Sequence, residues 1–374
     1  MSTLQCRGFS IALSCFWLLV IGGAISTQAQ TRSYVAHPDG AVTVLDTDTN
    51  AVVDTITVCT DHTCGPLIPA VTPNGARLYV TNIHDTVSVI DTLTNTVVDT
   101  IAVGQSLWGI AITPDGKRAY VADSSGTIAV IDTGTNTVIS TIPDSGSPFG
   151  VAITPDGTRA YISNANGTVS VVDTSTNTII TNILVLDFPR PGFGFPARDL
   201  AAIVITPDGT RAYVVSHSTS KTYVISTMLN AVIATIPTGL GSASGGPLSI
   251  AMSPDGTRVY TSFPCCESLV MDTFSNTVIR IIPGGGAPPF VGVTPDGTKF
   301  YRNAGQVVII YDTSTFAIIT TIQLDLSVGG VAFGTLPEVP HSKDDCKDSG
   351  FQRFSVLAFR NQGQCIKYVN EHAN

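Results

Sequence analysis

Four of the six histidines, His37, His62, His84 and His217, fall in short polar stretches rich in turn-forming residues. Imidazole is the commonest metal ligand at neutral pH and a ready acid or base, so this set is the first place to look for chemistry. Asp123, in Asp123-Ser124-Ser125, adds a carboxylate from a similar stretch. A second set lies in LVLDFPRPGFGFPARDL, Leu184 to Leu200, where Asp187, Arg190, Arg198 and Asp199 alternate with Phe188, Phe193 and Phe195. Arginine mixed with aromatics is the composition of interaction hot spots. The same residues could instead pair among themselves, or fold back with the phenylalanines filling a hole. The simplest reading of the histidines is polar loop residues. The chain has no CxxCH, HExxH or GxSxG motif and no Gly-rich phosphate loop, so no resident metal or cofactor is expected.

The elements that must position these residues are best seen in Gly150 to Ile183, GVAITPDGTRAYISNANGTVSVVDTSTNTIITNI. Four short runs rich in β-branched residues are separated by Pro155-Asp156-Gly157, by Asn164 to Gly167 and by Asp173 to Asn177. Each separator is turn chemistry, so the stretch reads as four strands and three turns. The Pro-Asp/Asn-Gly turn recurs at Pro73, Pro114, Pro155, Pro207, Pro254 and Pro295, with 41 residues from Pro73 to Pro114 and again from Pro114 to Pro155. The third-strand ending recurs at Asp46, Asp91, Asp132, Asp173, Ser226, Asp272 and Asp312. Four strands per repeat of about 40 residues is the signature of a propeller blade. The expected fold is all-β, a seven-bladed β-propeller.

Seven endings with only six Pro turns leave the first unit without its first strand. It begins at Ser33-Tyr34-Val35-Ala36, and a spare first-strand sequence follows the last unit, Gly330-Val331-Ala332-Phe333. This segment is expected to latch the ring beside Tyr34 and remove its exposed edges. In this register the central residues of the innermost strands are Ala70, Ala111, Ala152, Val204, Ala251, Gly292 and Ala332, small enough for a crowded hub. Arg77, Arg118, Arg159, Arg211, Arg258 and Lys299 follow the Pro turns, and a ring of Arg–Asp contacts with the strand-ending aspartates is expected, weaker or absent at Ser226.

A meander puts the uniform PDG and DTxTN turns on one face and the variable loops on the other. The variable face therefore collects the histidines, Asp123, the long insertion and the CTDHTC loop, and any ligand site belongs there.

Residues 1–29 read as a secretory signal, with Arg7 ahead of the apolar stretch Ile11 to Ile25 and a small residue at Ala29. The expected location is secreted, periplasmic or cell-surface, without membrane insertion after cleavage. The cysteines agree with an oxidising compartment: Cys59 with Cys64 and Cys346 with Cys365 are expected as disulfides, and the adjacent Cys265 and Cys266 stay open between a vicinal bond and free thiols. A formal net charge of −9 without a Lys/Arg cluster speaks against nucleic acid and anionic membranes. Residues 30–335 form the propeller, and residues 336–374 a linker and a Cys-containing C-terminal module, with Cys365 to His372 as one amphipathic helix.

Tyr79-Val80-Thr81-Asn82, set in TPDGTRAY and GTVSVIDTxTNTVV patterns over residues 33–334, resembles the YVTN-type β-propeller repeat family. Related propellers in secreted bacterial and archaeal proteins look like cell-surface or binding modules. Lactonases, streptogramin lyases and some oxidoreductase domains share the architecture. The tail resembles a short Cys-containing module found at the ends of secreted bacterial proteins. The expectation is a monomeric, non-catalytic binding module for a protein or cell-surface ligand. Its expected ligand residues are His37, His62, His84, Asp123, Arg190, Phe193, Phe195 and Arg198. The alternative is a lactonase- or lyase-type enzyme using the histidines of the same face.

Overall fold

A computed structural model of the protein describes residues 30–59, 64–186, 200–238, 246–264, 267–284, 290–340, 342–347, 352, 354, 356–357 and 359–372. Residues 1–29, His62, Arg190, Phe193, Phe195, Arg198, Cys265 and Cys266 lie outside the described residues.

Seven four-stranded antiparallel sheets form the ring. Blade four is representative: Pro148–Ile153, Arg159–Asn164, Thr168–Asp173 and Thr178–Leu184 pair as a meander. Its two middle strands are buried on both faces, whereas the outermost strand alternates exposed and half-buried. Continuous apolar runs such as TVSVVD suit a strand covered on both sides. The covering comes from neighbouring blades. Seven apolar clusters each join residues of two adjacent blades, so the core is a set of radial layers.

The ring closes at blade one. Val331–Thr335 pairs with Thr31–His37, placing Ala332 opposite Tyr34. The same pairing of a small innermost residue with a second-strand tyrosine recurs as Ala70 with Tyr79, Ala111 with Tyr120 and Ala152 with Tyr161.

The uniform face is stitched blade to blade. Tyr120 Oη donates to Asn177 Oδ1 of the next blade at 2.6 Å, and Tyr79, Tyr161 and Tyr213 reach Asn136, Asn230 and Asn276 in the same way. Those asparagines hold positive φ, 54° at Asn177, which Asn tolerates better than most residues. Opposite Tyr260 of blade six, blade seven has Phe316 at this position, and the Arg258 guanidinium lies 5.5 Å from its ring centre. Tyr34 is the other departure: its buried hydroxyl has no partner among the described residues, while Asn95 turns to Asp54. Burial raises the Tyr34 phenol to about 12.

The expected ring of Arg–Asp contacts does not form. Among the described residues only Arg77 pairs with its aspartate, Asp91. Arg159 and Arg211 donate instead to the carbonyls of Thr227 and Thr273 in the next blade, at 3.0 and 2.7 Å, and Arg118, Arg258 and Lys299 do likewise at Thr174, Thr313 and Thr47. The aspartates are engaged in their own turns. Asp173 Oδ1 accepts from the Ser175 hydroxyl and from the amides of Ser175 and Thr176, and these bonds hold its pKa below the ordinary value. At blade five Ser226 substitutes, accepting from Leu229 N at 3.3 Å. The Arg211 bond is intact there because it never depended on that side chain.

The tail forms a short 3-10 turn, Lys343–Cys346, and a helix, Gln362–His372, joined by a Cys346–Cys365 disulfide. Cys365 and Val369 of the helix are buried with Phe354, and Ile366 packs against them.

Candidate functional site

The innermost strands start at the variable face and run toward the PDG turns. In blades two to five each carries an irregularity near its start, between Pro66 and Ile68, Leu107 and Ile110, Pro148 and Gly150, and Leu200 and Ile203. The count of residues across each break is one more on the inner strand than on its partner, which defines a β-bulge. A bulge re-aims side chains and is frequent beside binding sites. Here the re-aimed residues include Trp108 and Phe149, whose rings stack at 4.6 Å with 25° between planes. Close approach of the strands is possible because of glycine: a Cβ on Gly109 would sit 2.6 Å from the Phe149 carbonyl oxygen.

Together the seven innermost strands enclose a cavity of about 400 Å³ at the hub. Leu67, Ile68, Trp108, Phe149, Leu248, Phe290 and Val331 supply its wall, and Pro38 reaches it from a second-to-third loop. The polar groups near this wall are already engaged. Thr81 Oγ1 donates to the Trp108 carbonyl at 2.8 Å. Ser163 Oγ accepts from Gly150 N at 3.0 Å and donates to the Ala201 carbonyl. Ser249 Oγ accepts from Val291 N at 3.2 Å. With these hydroxyls engaged on neighbouring strands, the pocket presents chiefly apolar surface.

The described members of the sequence-based site do not converge on this pocket. His37 is fully buried: its Nδ1 donates to the Ser327 carbonyl at 2.9 Å, which leaves Nε2 to accept from the Thr43 hydroxyl at 2.7 Å. Burial holds its pKa below the ordinary value. Asp123 is buried and accepts from the amides of Gln105, Ser106 and Ser125 and from Thr127 Oγ1. Desolvation opposes its charge, but the hydrogen bonds win and its pKa lies below the ordinary value. His217 Nδ1 donates to Gly246 O at 2.7 Å. His84 stands exposed on a blade-two turn. Three of these four residues therefore fasten loops. Cys59 and Cys64 are bonded, closing the loop between blades one and two.

Sequence reasoning passed over Trp108 and Phe149. A signal was present: each lies three residues before the small hub residue, Ala111 or Ala152, in a strand otherwise described as structural. The bulge that turns them into the pocket has no motif of its own.

Among the described residues no group of three or more His, Cys, Asp or Glu side chains could hold a metal ion. Among the same residues no helix is long and apolar enough to cross a membrane.

No protein-family model matches the chain, and no curated protein matches it. Among solved structures, hydrazine synthase of Kuenenia stuttgartiensis is similar, with a TM-score of 0.62 and 25% identity, covering 79% of this chain and 95% of that one. The likeness extends over most of both chains and agrees with the architecture seen here, a seven-bladed β-propeller of four-stranded blades.

Proposed function

We propose that this protein is a secreted binding module whose hub pocket takes a small apolar group bearing a flat ring. The observation that carries the reading is the stacked Trp108–Phe149 pair in an apolar cavity of about 400 Å³, a size and lining typical of ligand sites. Such a ligand gains from burial and from stacking, worth about 0.5–1.5 kcal/mol beyond area for an aromatic pair. The engaged hydroxyls of Thr81, Ser163 and Ser249 favour an apolar group over a polar one, because a polar group would be desolvated there without a partner. Secretion to the periplasm, cell surface or medium is supported by the apolar leader and by two disulfides.

An enzymatic reading draws on the likeness to hydrazine synthase, which is an enzyme. Of the histidines it would use, His37 and His217 are spent on loop carbonyls.

Trp108 supplies the test, because only Trp17 shares its residue type. Titration with a naphthalene-based apolar probe is expected to change Trp108 emission saturably, and Phe149→Ala is expected to weaken binding about tenfold at similar melting temperature. A probe response that is linear, or unchanged by Phe149→Ala, overturns the proposal.

A further inference from the structure

The interfaces between blades repeat one contact just beneath the variable face. A third-strand residue of one blade meets the residue after the second-strand tyrosine of the next. In five interfaces the pair is aliphatic: Val42 with Val80, Val87 with Val121, Ile128 with Ile162, Val169 with Val214, and Val308 with Val35. The two flanks of blade six break the pattern. Toward blade five the equivalent residues are Thr222 and Thr261, and toward blade seven they are Ser268 and Arg302.

Arg302 is wholly buried. Its Nη2 donates to the Gly284 carbonyl, while Nε and Nη1 have no partner among the described residues. Among the described residues no carboxylate pairs with it. Glu267, which also has a buried oxygen without a partner, precedes Ser268 and so by strand alternation points to the other flank of blade six. Ser268 Oγ donates to Ser262 Oγ at 3.1 Å on the wall facing Arg302, where blade one places Val42 with Ala36 and blade three Ile128 with Ala122. Below this level the interface is aromatic, with Tyr260 and Phe300 stacked at 4.8 Å. Polar groups are thus confined to the end near the variable face.

A buried guanidinium with idle donors is expensive. Arginine with hydroxyls beside it is the donor set that recognises carboxylate and phosphate oxygens. We propose that the seam between blades six and seven binds a small oxyanion, held by Arg302 with the hydroxyls of Ser262 and Ser268 on the facing wall. The ligand chemistry is that of a carboxylate or an inorganic oxyanion. This site is separate from the hub pocket and does not depend on what that pocket takes.

The test is melting of the intact protein in tens of millimolar acetate, phosphate or sulfate against chloride at matched ionic strength. A rise of roughly 2–6 °C with one of them supports the site, acetate pointing to a carboxylate and phosphate or sulfate to an inorganic anion. Arg302→Met is expected to abolish the rise and Ser268→Val to reduce it by half or more; the second variant keeps the test decisive if the first does not fold. Equal melting in all salts overturns the proposal, as does an anion response that Ser268→Val and any folded Arg302→Met leave unchanged. Glu267→Gln provides a further check: if it lowers melting and creates an anion response absent from the parent, Arg302 is paired internally and the proposal fails.

Discussion

The two faces of the ring use the same backbone for different ends. On the uniform face, side chains at fixed repeat positions cross to the next blade, as Tyr120 does to Asn177 and Arg159 to the Thr227 carbonyl. Thr174 Oγ1 also ties the DT turn to the Gly157 carbonyl of the PDG turn. On the variable face, several side-chain hydrogen bonds are particular to one blade: His37 to Ser327, Asp123 to the amides of Gln105, Ser106 and Ser125, His217 to Gly246. Repetition therefore marks contacts that every blade must make with its neighbour. Variety marks loops that need only be tied down, over a hub where bulged strands form a pocket.

The strongest way to break this comparison is to open the ring. Deleting Gly330 to Gly334 removes most of the innermost strand of blade one, including Ala332 opposite Tyr34. It also exposes the edge of Thr31–His37. Loss of the cooperative melting transition and of hydrogen-exchange protection around Tyr34 is expected. Unchanged melting would show that the latch is dispensable and that each face is stable without closure.

A smaller effect sharpens the account of the uniform face. Tyr120→Phe removes the donor to Asn177 Oδ1 and is expected to cost about 1 kcal/mol in denaturant unfolding. Tyr34→Phe removes a buried hydroxyl that has no partner, so it should cost nothing or stabilise slightly. Equal losses at the two sites would refute the claim that the stitching bond, rather than ring packing, distinguishes them.

The smallest effect belongs to the variable face. Burial depresses the His37 pKa from 6.5, so the folded state prefers neutral imidazole. The unfolded chain takes up the proton first as pH falls below about 6.5. Stability from this group is complete above that value and declines below it. Comparing parent and His37→Gln melting from pH 7.5 down to 5 should show a steeper loss in the parent. Parallel curves would mean that His37 is not held neutral.

Much of the architecture was legible in the sequence because turn geometry must be encoded locally. PDG supplies a Gly at positive φ, 72° at Gly157, and the strand-ending Asp accepts from amides two and three residues on. Such requirements recur with every blade, so they show as spacing. The latch was legible from a count of endings against turns. The arginine contacts were misjudged: spacing placed Arg near Asp, but the aspartate was already engaged in its own turn, and only the assembled ring shows a free carbonyl in the next blade.

The sequence by itself determined the strands, their turns, the number of blades and the small residues of the hub, since each follows from local backbone preference and a repeating register. Tertiary structure alone decided which residues face the hub pocket and which polar groups are left without partners. Trp108 and Phe149 became pocket walls through bulges that shift side-chain direction by one residue. Arg302 became notable only when blade six was set against blade seven and its neighbours were seen to be serines rather than a carboxylate. Both depend on groups brought together by ring closure from separate repeats, and no local preference records what will stand opposite.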